Sequence, residues 1–254
     1  MLEPENTLEP EPTLKGRVWG LWSTLGFGLV IGTALIITAA FIAIIIAATL
    51  FADKPALITD PSQYMEMLTG MFGLMVSLSS VATAIVGVGL IILFIKLRRT
   101  ITIVEYLGLS PMRIKAIVAV VAITAGFLVV SGALSSFLDR PVPELMVDAY
   151  QTSIYPVLFW IAVIVFAPVF EEALFRGFLF EGFRYSRIGI IGAIVLTSLI
   201  WTLLHLQYDA YEMSTIFVMG LLLGAVRYKT GSLWSPLLMH SLNNLLAMIE
   251  LALY

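Results

Sequence analysis

Residues 18–52 read VWGLWSTLGFGLVIGTALIITAAFIAIIIAATLFA, 35 residues without a charge. A helix needs about 20 apolar residues to cross a bilayer. This window suits one tilted span with an interfacial lead-in at Trp19 and Trp22, or a tight hairpin of two short spans. Outward from it lie six more charge-free windows: Met71–Ile95 (25 residues), Ala116–Leu138 (23), Ala149–Phe170 (22), Ile188–Tyr208 (21), Met213–Val226 (14) and Thr230–Ile249 (20). They predict an all-α fold, a polytopic transmembrane helix bundle of about seven spans. The short sixth window reaches both interfaces if Glu212 and Arg227 snorkel.

Composition agrees. Of 254 residues, 60% are apolar and 12% charged, against about 45–50% and about 25% in soluble domains. A soluble globule has too little interior to hide that much apolar surface. The net charge of −3 leaves no nucleic-acid footprint. With no cysteine, disulfides, thiolate zinc sites and cysteine nucleophiles are excluded. Only two histidines, His205 and His240, can supply imidazole chemistry.

Charge bias orients the spans. With the first window as one span and the N-terminus inside, twelve of the 14 basic residues, Arg176 and Arg227 among them, fall on inner segments, and only Lys54 and Arg140 lie outside. That pattern predicts an N-in, C-out topology. Residues 1–14, MLEPENTLEPEPTL, read as a disordered acidic tail. Residues 15–153 form an N-terminal transmembrane region of three spans. Within it, 100–115 is either a short amphipathic piece on the inner surface or a plain loop. Residues 154–254 form a four-helix core.

That core carries polar residues at membrane depth. Residues 168–177 read PVFEEALFRG. Each ionised side chain there costs about 2.5–3.5 kcal/mol if left alone. Glu172 and Arg176, four apart, share a helix face and can pair, while Glu171 points about 100° away. Pro168 loosens the helix just before them, since it cannot donate to the carbonyl four residues back. Glu171 and His205 each lie 17 residues from a turn near Ile188. On antiparallel helices both are roughly 25 Å from that turn and at one level. His240 and Asn244 share a face of the last helix. Glu181 and Glu250 are expected to be solvated at helix ends, and Asn243 to be interhelical glue.

A carboxylate and imidazoles facing a cavity can activate water. Glu171 is the candidate base, His205 its partner, and His240 and Asn244 candidate donors to an oxyanion. A three-ligand zinc site of Glu171, His205 and His240 is the alternative, although no HExxH is present.

These residues resemble the CPBP family of intramembrane proteases, which includes the type II CAAX prenyl endopeptidases and bacteriocin-processing Abi relatives. The family motif EExxxR is matched by Glu171, Glu172 and Arg176 in EEALFRG. FxxxH is matched by Trp201 to His205 in WTLLH, with tryptophan for phenylalanine. HxxxN is matched by His240 and Asn244. The resemblance covers about residues 154–250. It implies an endopeptidase in which Glu171, His205, His240 and Asn244 are catalytic and Glu172, Arg176 and Trp201 supporting, with no cofactor favoured and zinc as the alternative. The implied partners are the lipid bilayer and a membrane-anchored or prenylated peptide or protein substrate. Fewer helices than many CAAX enzymes have, and no eukaryotic targeting tail, point to a bacterial inner membrane. The competing readings are a proton-coupled transporter and a non-catalytic membrane immunity or binding protein.

Overall fold

The computed structural model describes residues 17–53 and 61–253. Among them every regular element is helical: α1 Leu21–Asp53, α2 Pro61–Thr69, α3 Phe72–Leu97, α4 Ile103–Leu107, α5 Ile114–Phe137, α6 Glu144–Gln151, α7 Pro156–Arg184, α8 Gly189–Leu203, α9 Ala210–Thr230 and α10 Trp234–Leu253. Six of these (α1, α3, α5, α7, α9 and α10) are long and apolar enough to cross a membrane, and α8 is a shorter apolar helix. The chain is thus an all-α integral membrane protein with the expected bundle of about seven spans. The acidic tail, Lys15 and Lys54 lie outside the described residues.

The first window is one helix of 33 residues, not a hairpin. At about 1.5 Å per residue it is roughly 50 Å long, well beyond a hydrocarbon core of about 30 Å. The sixth window grows from 14 charge-free residues to a 21-residue helix. Asp209 caps its start, accepting from the Tyr211 amide at 2.7 Å and the Glu212 amide at 3.2 Å. Gly231 ends it in the left-handed conformation, at φ 67°.

Helix α7 is the axis of the bundle. Every residue from Glu172 to Phe183 is buried, as expected of a helix with neighbours on all sides. Close approach is bought with small residues. Phe170 packs where a Cβ on Gly87 of α3 would stand, Thr24 of α1 lies against Gly182, and Leu107 of α4 against Gly177. By contrast α1 and α5 show most of their apolar surface to the outside, with Ile36, Phe41, Val129 and Phe137 exposed. That surface belongs to lipid.

The chain ends of the helices gather at two poles. At one, Arg17 donates to the Thr100 carbonyl at 2.8 Å, and Ser232 to the Ser110 carbonyl at 2.6 Å. Of residues 100–115 only Ile103–Leu107 is helical before α5 begins. It opens with a capping box of Thr102 and Glu105 and closes on Gly108. At the opposite pole the Gly73 amide donates to Thr152 at 2.9 Å, and Ser135 and Tyr211 share a hydrogen bond of 2.7 Å.

Two charges differ from expectation. Glu181 is not solvated and Arg227 does not snorkel. Both are buried and pair at 2.8 Å, because α9 presents Arg227 to the last turns of α7 rather than to the headgroups.

Candidate active site

Glu171 and Glu172 lie on α7 between two π-helical stretches, Ala162–Phe166 and Ala173–Leu179. Pro168 brings no N–H to the ladder, and the Ala167 amide reaches back five residues to the Ala162 carbonyl. The two neighbouring carboxylates then face different surroundings. Glu172 is fully buried, whereas Glu171 is half-buried.

Glu172 Oε1 accepts from Arg176 Nη1 at 3.1 Å and lies 2.8 Å from His240 Nδ1. Arg176 Nη2 also donates to the Gly220 carbonyl at 3.3 Å. One ion pair therefore ties α7 to α9 and to α10. An ionised carboxylate only accepts, so the His240 proton sits on Nδ1, and Nε2 is the nitrogen the ring can offer elsewhere.

Glu171 Oε2 accepts from Trp201 Nε1 at 2.5 Å. The Trp201 ring is the meeting point of the cluster. Its centroid lies 5.3 Å from that of His205 and 5.3 Å from that of His240, each edge-on at 74°. Arg176 Cζ stands 4.6 Å from the same centroid.

His205 is not on the fifth span, as the 21-residue window suggested. Helix α8 stops at Leu203. The His205 ring places Nδ1 2.8 Å from the Trp201 carbonyl, the acceptor its own amide would use to continue the helix. The amide bonds instead to the Thr202 carbonyl, three residues back, at 2.9 Å. Since a carbonyl only accepts, Nδ1 carries the proton and Nε2 is left as the basic nitrogen of the neutral ring. His205 is half-buried, in the turn before α9. Tyr208 stacks on it at 6.2 Å, a neighbour no sequence motif flagged.

Asn244 Nδ2 donates to the Val163 carbonyl in the first π stretch at 2.9 Å. Its amide oxygen accepts from Asn243 Nδ2 at 3.3 Å. One N–H of the Asn244 amide has no part in these two bonds.

The zinc alternative fits poorly. Among the described residues no three His, Asp or Glu side chains group as ligands for a metal ion.

Comparison with known proteins agrees with the motifs. Residues 153–246 match the family model described as type II CAAX prenyl endopeptidase Rce1-like. A stretch of 107 residues, 41% of this chain, is 30% identical to an uncharacterized 24.3 kDa protein of Escherichia coli and covers 44% of it. The chain thus spans less than half the length of that relative. No solved structure matches. Over residues 153–246, then, the chain is similar to the Rce1-like type II CAAX prenyl endopeptidases, and the match supports an intramembrane protease of the CPBP kind.

Proposed function

We propose that the protein is an intramembrane endopeptidase that hydrolyses a peptide bond of a membrane-anchored substrate with water activated by Glu171. One observation carries the reading: Glu171 from α7, His205 from the turn after α8 and His240 from α10 all meet a single indole ring.

Glu171 is the half-open carboxylate and takes the proton of the attacking water. His205, with Nδ1 committed to the Trp201 carbonyl, presents Nε2 to the same water. Attack on the scissile carbonyl gives a tetrahedral oxyanion. The spare N–H of Asn244 and the Nε2–H of a protonated His240 donate to it. Glu172, on the far nitrogen of that ring, stabilises the imidazolium, as the carboxylate of a catalytic triad does. Collapse of the intermediate returns the proton held on Glu171 to the leaving amine. This scheme routes no step through a metal. The substrate is a membrane-anchored peptide, a prenylated tail or a bacterial leader or transmembrane segment. The setting is a bacterial inner membrane with the N-terminus inside.

The test is cleavage of a membrane peptide by purified protein in proteoliposomes, read by mass spectrometry. Wild type releases product peptides, and Glu171→Gln loses about 10²–10⁴-fold in rate while remaining folded. A Glu171→Gln protein that cleaves at the wild-type rate overturns the mechanism. A protein that conducts protons or masks a toxin, with no products, supports the competing readings.

A further inference from the structure

Trp201 stands where the family motif has phenylalanine, and the two differ at this position in one atom that matters. Both are flat apolar rings, but only indole carries an N–H, and that N–H can donate and never accept. Here it points at Glu171 Oε2 at 2.5 Å. The ring is buried, 4% exposed, and cannot easily turn away. The Arg176 guanidinium over the ring face, 4.6 Å from the centroid, attracts π density. A cation there leaves the ring N–H more positive and a stronger donor to a carboxylate. Arg176 is itself held by Glu172 at 3.1 Å and by the Gly220 carbonyl at 3.3 Å. The donor aimed at Glu171 is therefore braced from α7 and α9 as well as by its own helix. The same residue reaches the second member of the water-activating pair through its backbone, since its carbonyl accepts from His205 Nδ1 at 2.8 Å. Any residue can supply that carbonyl. The side-chain bond to Glu171 needs tryptophan.

We propose that Trp201 is a positioning residue: its indole N–H occupies one oxygen of Glu171 and so aims the other at the water, while its carbonyl sets the tautomer of His205. The proposal rests on the hydrolytic reading above. A carboxylate held by one oxygen rotates less and presents one oxygen rather than two to the reacting water. The gain is in the chemical step and not in the affinity for substrate.

The experiment uses the full chain and two independent readouts. In peptide cleavage, Trp201→Phe, which keeps an aromatic ring in place, lowers kcat by about 10- to 100-fold, the range of one hydrogen bond to a charged group, and leaves KM unchanged. A packing role alone would lower the melting temperature and raise KM without this split. In ultraviolet resonance Raman spectra, the difference between wild type and Trp201→Phe isolates this indole from the other four tryptophans. Its N–H band has the position of a strongly bonded donor in wild type, shifts to that of a free indole in Glu171→Ala, and stays put in His205→Ala. A wild-type kcat in Trp201→Phe, or an indole band indifferent to Glu171→Ala, overturns the proposal and leaves the hydrolytic reading standing. Absence of cleavage by every form, wild type included, overturns the hydrolytic reading and the proposal with it, even where the band responds.

Discussion

Glu172 and Glu181 sit nine residues apart on α7, and both are closed off from solvent. Each pairs with an arginine, Glu172 with Arg176 at 3.1 Å and Glu181 with Arg227 at 2.8 Å. Around Glu181 the remaining partners are fixed ones. Arg184 lies 3.7 Å away. Arg227 also donates to the Arg176 carbonyl at 2.9 Å and to the Leu107 carbonyl at 3.4 Å. Around Glu172 stand an imidazole, an indole and a second carboxylate that is half open. A buried ion pair alone therefore says little about chemistry. An exchangeable proton beside a carboxylate with access to the outside says more. The two clusters are also joined, since Arg227 grips the backbone of Arg176 and α4 beneath it. The lower pair acts as a foundation for the upper one.

The largest effect is expected on stability, at the lower cluster. Glu181→Gln leaves Arg227 buried without its carboxylate, a loss of about 3–5 kcal/mol. Thermal unfolding in detergent reads it directly. The fraction that stays folded keeps a kcat near wild type. Loss of cleavage with an unchanged melting temperature would erase the distinction between the two clusters.

Next in size is Glu172→Gln. The amide can offer its NH2 to His240 Nδ1, which turns the ring to the other tautomer and removes the carboxylate that supports its charge. Expected is a fall of about 100-fold in kcat with little change in KM, the scale of one lost oxyanion donor. Equal losses at Glu171 and Glu172 would make the two carboxylates a single unit.

What local spacing encodes was legible in the sequence. Glu172 and Arg176, one helical turn apart, do form their pair, and the long apolar windows did become helices. Contacts that depend on which helix faces which were not legible. Glu181 and Arg227 are 46 residues apart, and no periodicity brings them together. Buried as they are, Arg176 and Arg227 report on packing as much as on the positive-inside bias. The end of α8 was missed for a different reason. The stretch LLHLQYD has no proline or glycine, and the stop lies in a histidine ring competing for a backbone carbonyl. Trp201 was legible as an aromatic but not as a donor, since the partner of its N–H is set by α7.

The smallest effect belongs to the pole where the turn bearing His205 enters α9. Arg140, from the loop after α5, contacts Asp209 and, at 3.1 Å, Glu212, and lies over the Tyr211 ring at 5.0 Å. This clasp holds the far end of the turn, outside the apolar bundle and open to water. Hydrogen bonds from Glu212 and Arg140 hold the Asp209 carboxyl well below the usual carboxylate range. Its folded value lies below the roughly 3.9 of an unfolded aspartate, so the stabilisation is complete above that pH and is lost as pH falls through the folded value. Arg140→Ala is expected to lower cleavage only about twofold, as befits an exposed pair. Its melting temperature should sit below that of wild type at pH 7, and the two should converge only in strong acid. Convergence on going up to pH 7 instead would mean that the clasp is held by something other than the Asp209 charge.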